Sequence, residues 1–544
     1  MHRTTALAAT LVLSSATLEA SVGVPTVKAP AGIVQGRTDA GTRAFLGIPY
    51  AKPPVGDLRW QPPAPLARWS GVRQATEYGP ACFQPTSKLS TVYSPRAPLP
   101  MSEDCLTLNI WSPPKAKKAP VLVWIHGGAL QTGSSREDMY DGRKLAERGV
   151  VVVSINYRLG VLGWLAHPQL SAESKKQVSG NYGLLDQIAA LRWVKENIAS
   201  FGGDPSAVTI SGESSGALSV MLLMESPPAQ GLFHRAIAQS AYMITMPGLR
   251  NATFGQLPGE TVGMMLQKGL AADGIAAMRT IDPAKLVESS AKLGFAPWAM
   301  IDGKILPEQM VTAFDQGKQS PVPILAGFNQ GEIRSLTVLA PKAPASAAVY
   351  EQEIRARYGD LAEAFLALYP AADYRESILA TTRDGLYGWT AERLVRSQTQ
   401  RGQSSYLYLF DHGYPAMEEA GLHAFHGAEI PYMFGAADRL GPNWPKIPAT
   451  SAEQALSDAM MDYWVSFAAT GKPTAKSQPT WPAFGQSRAY LRFADTPRPE
   501  QGFMPGMFEL NEEVMCRRRA SGSAPWNWNV GLASPPLPPK VTGC

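Results

Sequence analysis

The sequence predicts an α/β protein built on a mostly parallel, doubly wound sheet with helices on both faces. Three observations carry this expectation. The continuous, β-branched runs at 121–125 and 150–155 suit central strands buried on both faces. Helical patterns at 142–148 and 184–198 separate such runs, so the strands pair in parallel through crossovers. No internal repeat or low-complexity linker interrupts the 544 residues, so one domain over about 21–544 is expected. A net charge of +5 on this length is mild, and 45% hydrophobic residues allow a large core. The one tight basic run, Arg517-Arg518-Arg519, reads as a solvated surface segment, which argues against a nucleic-acid partner.

Residues 1–20 read as a signal peptide with an uncertain cut site. Arg3 opens a short apolar run at 5–13, and small residues follow at Ser14-Ser15-Ala16 and Leu18-Glu19-Ala20. A secreted or periplasmic location is therefore expected. That run is too short to span a bilayer, no later run is long enough, and the carboxyl end shows neither an apolar tail nor a KDEL-like signal. Four cysteines in an exported chain suggest pairs, since no two have zinc-finger spacing. Cys82 and Cys105 bracket a Ser/Pro-rich stretch whose closure stabilises by about 3 kcal/mol on the chain-entropy model. Cys516 and Cys544 are left for each other.

Residues 106–111 alternate as a half-buried strand does. Further strands are expected at 208–212, 236–238, 324–327 and 406–410. The intervals 243–322 and 333–404 are rich in helix formers, with helices expected at 260–270, 349–358 and 361–368. Helical insertions at the carboxyl ends of parallel strands overhang the crevice where ligands bind, so these read as pocket walls.

The chemistry centres on Gly212-Glu213-Ser214-Ser215-Gly216, where a strand turns abruptly into a helix. The glycines leave room for that turn, and Ser214 Oγ stands exposed in front of the helix amino terminus. A serine hydroxyl needs a base, usually a histidine held by a carboxylate. Of seven histidines, His412, His423 and His426 follow the strand where this topology puts the base. His412 stands at the strand end and reads as structural; His426, with glycine beside it and an anchoring apolar segment after it, is favoured over His423. Glu332, in the turn after the preceding strand, is the candidate acid, with an ordinary solvated carboxylate as the competing reading. The backbone N–H groups of Gly128, Ala129 and Ser215 are the candidate oxyanion donors.

With these residues in view the chain resembles the type-B carboxylesterases, the branch of α/β-hydrolases that includes the cholinesterases. The resemblance rests on Gly47-Ile48-Pro49-Tyr50-Ala51-Lys52-Pro53-Pro54, Ser102-Glu103-Asp104-Cys105-Leu106, His126-Gly127-Gly128, Asn156-Tyr157-Arg158, Gly180-Asn181, Phe201-Gly202-Gly203-Asp204-Pro205 and the Ser214 pentapeptide. It implies an α/β-hydrolase fold, a Ser214, Glu332 and His426 triad, the Cys82–Cys105 disulfide, and buried pairs of Arg59 with Glu103 and Arg158 with Asp186. The chain departs from the family pattern at Ala129, where a third glycine is usual, at Ser215, where alanine is frequent, and in Cys516 and Cys544. It also lacks a cysteine pair between Met243 and Val322.

The implied activity is hydrolysis of small-molecule carboxylic esters through an acyl-enzyme, with no cofactor or metal. Acyl transfer to an alcohol on the same site is the alternative. A non-catalytic cholinesterase-like binding protein would lack a working nucleophile, whereas all three triad residues are present. Between Cys82 and Cys105 the chain has Phe83 and Tyr93 but no tryptophan, and no acidic cluster is placed near the site, so uncharged esters are expected over choline esters.

Overall fold

The computed structural model describes residues 24–86, 91–527 and 530–544; the expected signal peptide lies outside the described residues. The centre is an eleven-stranded sheet. In chain order its strands are β1 (Arg37–Asp39), β2 (Thr42–Pro49), β3 (Thr107–Ser112), β4 (Ala119–Ile125), β5 (Val151–Ile155), β6 (Gly203–Glu213), β7 (Arg235–Gln239), β8 (Ile324–Asn329), β9 (Ser405–Phe410), β10 (Tyr490–Phe493) and β11 (Pro497–Glu500). In space they run β11-β10-β9-β8-β7-β6-β4-β5-β3-β2-β1. Neighbours from β10 to β5 are parallel. Antiparallel pairs close both edges, β11 on β10 at one and β3, β2 and β1 at the other. The chain runs from β4 out to β5 and returns to lay β6 on the other side of β4. That reversal falls at β4, and the carboxyl ends of strands at such a reversal are the position where open α/β sheets bind ligands.

The continuous apolar runs have a physical explanation in the layers. Val121, Val123 and Ile125 of β4 enter one apolar cluster, while Leu122 and Trp124 enter the cluster on the opposite face. The alternating run at 106–111 was expected to be half-buried, but all of Thr107–Ser112 is buried. Its polar positions are satisfied inside: Asn109 donates to Ser154 Oγ at 3.0 Å and accepts from Gly47 N–H at 2.9 Å. Alternation signals a wet face only when no neighbouring strand offers partners.

The interval 243–322 carries helices Gly259–Gly269, Gly274–Thr280, Pro283–Lys292 and Met310–Asp315. The interval 333–404 carries Ala347–Tyr358 and Ala362–Leu368 as expected. It also holds an unexpected helical run, Tyr374–Arg383 and Trp389–Gln400, joined by one π-helical turn at Asp384–Gly388. Among the described residues no helix is long and apolar enough to cross a membrane.

Disulfides join Cys82 to Cys105 and Cys516 to Cys544, with Cα–Cα distances of 5.1 Å and 5.6 Å. The basic run is not solvated: Arg517 and Arg518 are buried, and Arg517 grips Asp360 at 2.7 Å and Glu513 at 2.7 Å. Arg59 binds Glu103 through two hydrogen bonds of 2.7 Å. Arg158 binds Asp186 through two of 2.8 Å, with its own backbone N–H as a third donor at 3.0 Å. Both side chains of that second pair are almost wholly buried. Asp186→Ala would leave the Arg158 guanidinium buried without its counter-charge, and is expected to destabilise the fold by about 3–5 kcal/mol. Urea unfolding monitored by tryptophan fluorescence reads this; a loss below about 1 kcal/mol would contradict it.

Candidate active site

The turn from β6 into helix Ser215–Glu225 is strained. Ser214 has φ 57° and ψ −124°, a left-handed conformation that a non-glycine residue keeps only when its surroundings enforce it. The enforcement is close backbone contact: a Cβ at Gly216 would stand 2.1 Å from the Ile125 carbonyl oxygen, and one at Gly212 would stand 2.5 Å from the Gly216 carbonyl carbon. Ser214 N–H donates to the Gln239 carbonyl of β7 at 3.0 Å. Its neighbours Glu213 and Ser215 are buried, while Ser214 keeps partial exposure.

The loop after β4 curls over the same point. Ala129 and Leu130 have φ of 55° and 58°, so Ala129 occupies the left-handed region that a glycine enters without strain. The backbone N–H groups of Gly128 and Ala129 meet no acceptor among the described residues. The Ser215 N–H is one of the unpaired donors of the helix start. Ser215 Oγ accepts the Leu130 N–H at 3.2 Å and ties this loop to the helix.

Glu332 follows β8 and is fully buried, which removes the solvated-carboxylate reading. Its Oε1 accepts from Ser240 Oγ at 2.6 Å and from the Asn329 N–H at 2.8 Å. Its Oε2 is hydrogen-bonded to His426 Nδ1. The two loops are stitched together by Gly331 N–H to the Ala424 carbonyl at 3.0 Å and Asn329 Nδ2 to the Phe425 carbonyl at 2.8 Å. On the other ring nitrogen, His426 Nε2 lies 3.1 Å from Glu213 Oε1. Ser214 Oγ makes no hydrogen bond to His426 in this arrangement; in free enzymes such bonds are often long and tighten only around substrate.

The remaining histidines of the described residues have other work. His412 is buried against Glu453, Nε2 to Oε2 at 3.0 Å. His423 is held between Glu418 and Asp411, the latter at 2.8 Å. His126 stacks on Tyr157 at 4.5 Å, and burial lowers its pKa to about 4. His167 caps the helix Pro168–Glu173, and His234 accepts the Val208 N–H at 3.2 Å.

Several residues near His426 were not found in the sequence. Glu213 and Glu429 join Glu332 in a buried acidic cluster, with Glu429 receiving hydrogen bonds from Asn329 Nδ2 at 2.6 Å and Gln239 Nε2 at 2.9 Å. This corrects the expectation that no acidic cluster lies near the site. Glu213 stands next to Ser214 and Glu429 three residues after His426, which was the available signal. Burial acts to lower the His426 pKa, but the Glu213 and Glu332 carboxylates outweigh it and hold it at about 9. Burial lifts Glu213 to about 8, against the opposing pull of His426. Tyr93 donates its hydroxyl to the His426 carbonyl at 2.9 Å and packs its ring edges on Phe425 and Trp444, while Phe83 packs into an apolar cluster beneath the loop.

A reversed, mostly parallel sheet with a serine on a strained strand-to-helix turn, a histidine from the loop after β9 and helices around the sheet defines an α/β-hydrolase. Comparison with known proteins narrows the class. Residues 23–507 match the model of the carboxylesterase family, and the chain belongs to that family. It is 38% identical over 483 residues to the fumonisin B1 esterase of Sphingopyxis macrogoltabida, covering 85% of each chain. It is 37% identical over 465 residues to the para-nitrobenzyl esterase of Bacillus subtilis, covering 83% of this chain and 91% of that one. Among solved structures it superposes on a PNB esterase with TM-score 0.77 at 32% identity, covering 89% of this chain and 99% of the other. A Geobacillus stearothermophilus carboxylesterase gives TM-score 0.73 at 31% identity, covering 89% and 99%. The protein is a carboxylic-ester hydrolase.

Proposed function

We propose that hydrolysis runs through an acyl-enzyme on Ser214, in one catalytic domain whose helical insertions wall the site. The observation that carries this reading is the hydrogen bond from His426 Nδ1 to a buried, doubly anchored Glu332 beside the strained Ser214 turn. Ser214 Oγ attacks the ester carbonyl carbon while its proton passes to His426 Nε2. Glu332 keeps that nitrogen available by holding Nδ1 and compensates the charge of the imidazolium. The carbonyl oxygen, now an anion, is received by the N–H groups of Gly128, Ala129 and Ser215; one such donor contributes about 3 kcal/mol to transition-state stabilisation. Collapse expels the alcohol, which takes the proton from His426. Water then repeats the sequence, releasing the acid and restoring Ser214. Mass mapping after an organophosphonate tests this: the adduct is expected on Ser214 alone, and a stoichiometric adduct elsewhere refutes it.

The same proposal includes export, supported by two disulfides in the chain. It also includes uncharged substrates. Tyr93 gives its hydroxyl to the His426 carbonyl, and its ring packs against Phe425 and Trp444. An acyl-matched neutral ester is expected to show a higher kcat/KM than the choline ester. A clear preference for choline would show that Glu213 and its neighbours act as an open cation site.

A further inference from the structure

His426, the proposed base, stands on a strained segment. Ala424 has φ 42° and Gly427 φ 78°, so the histidine lies between two left-handed residues, and a non-glycine residue keeps that conformation only where its surroundings enforce it. Three successive carbonyls of the segment are held. The Ala424 carbonyl accepts the Gly331 N–H at 3.0 Å and the Phe425 carbonyl accepts Asn329 Nδ2 at 2.8 Å, both donors lying between β8 and Glu332. The third carbonyl, that of His426 itself, accepts the Tyr93 hydroxyl at 2.9 Å. This donor comes from a distant part of the chain, between the disulfide-bonded Cys82 and Cys105.

The same phenol oxygen lies 2.7 Å from Ser335 Oγ. Its one proton goes to the His426 carbonyl, so Ser335 is the donor there. Ser335 closes the turn Glu332–Arg334, so a single hydroxyl ties the loop that carries the acid to the loop that carries the base. The segment around Tyr93 is itself fastened to the chain beyond His426. Arg96 donates from Nε to the Leu440 carbonyl at 2.7 Å and from Nη2 to the Asp438 carbonyl at 2.6 Å, and Asn443 Nδ2 donates to the Thr91 carbonyl at 2.8 Å. Tyr93 is 41% exposed, so its ring contributes less packing than a core aromatic would. What its hydroxyl adds is the placement of His426 relative to Glu332.

We infer that Tyr93 is a positioning residue for ester hydrolysis, its hydroxyl holding the His426 backbone in register with the Glu332 loop so that the imidazole is aimed at Ser214. This rests on the reading of His426 as the base. The test measures kcat and KM of the full chain on ethyl butanoate and phenyl acetate for wild type, Tyr93→Phe, Ser335→Ala and the double variant, with active sites counted by organophosphonate titration so that misfolded protein does not enter. Tyr93→Phe is expected to lower kcat and kcat/KM by the same factor, about tenfold, on both esters, with an unchanged thermal midpoint. Ser335→Ala should cost less, and the double variant no more than Tyr93→Phe alone, because both act through one oxygen. An unchanged kcat per titrated site, a loss confined to KM or to one ester, or losses that multiply in the double variant would each overturn the inference. Activity surviving in His426→Ala would sink the triad reading, whereas an inactive His426→Ala beside a fully active Tyr93→Phe would sink this inference alone.

Discussion

Ser214→Ala is expected to remove ester hydrolysis while leaving the fold intact. The attacking oxygen is lost, and nothing else on the strained turn can form the acyl-enzyme. Removing the nucleophile of a serine triad costs roughly a millionfold in kcat, with residual turnover from the oxyanion donors and binding alone. The alanine methyl fits the space of the serine side chain and deletes only the unpaired hydroxyl, so the unfolding midpoint should match wild type. Steady-state rates on a simple ester, paired with a thermal melt, check both halves. Activity above roughly a thousandth of wild type would overturn the assignment.

His426→Ala is the second large effect. It removes the proposed proton acceptor and strands the Glu332 carboxylate, which is buried and held by Ser240 and Asn329. Turnover should fall by several orders of magnitude, whereas His423→Ala should retain most of it, because His423 spends both nitrogens on Asp411 and Glu418. The reverse result would transfer the role to His423. The pH profile gives the same assignment an independent sign. A base must be neutral to accept a proton, so activity is present above its pKa and lost below it. An unperturbed histidine would place that loss near 6.5. The two carboxylates hold His426 at about 9, so the acid limb of kcat/KM should lie well above 6.5. His426 and Glu213 titrate as a coupled pair, and the limb belongs to both. Glu213→Gln removes the first of the raising charges and should move the limb downward; a limb at 6.5 that the substitution does not shift would contradict the geometry.

What could be read from the sequence was whatever is decided by neighbours along the chain. The continuous runs of β4 and β5 announced strands covered on both faces. Gly212 and Gly216 announced a turn too tight for side chains. Both are steric properties of a few consecutive residues, and they survive any tertiary setting. The cysteine pairs were legible because four thiols in one chain leave few combinations.

The rest was decided by which distant segments meet. Glu332 and His426 are 94 residues apart, and whether Glu332 was solvated or buried depended on the loop carrying Phe425 folding back onto Gly331. The acidic cluster arises because the ends of β6 and β8 and the loop after β9 bring Glu213, Glu332 and Glu429 together, which no local pattern records. Arg517 and Arg518 read as surface because a run of charges has no partner in its own sequence; Asp360, 157 residues away, supplies the first of them. Nothing was expected of Asp384-Gly385-Leu386-Tyr387-Gly388 from its own residues. Packing holds it as a π turn, because Asp384 accepts from Arg383 Nε and from the Tyr369 hydroxyl, contacts that offset what its backbone loses. Local sterics therefore determined the strands and the Ser214 turn by themselves, and long-range burial, which sets the energy of every charge and hydroxyl around that turn, was decided only by the assembled fold.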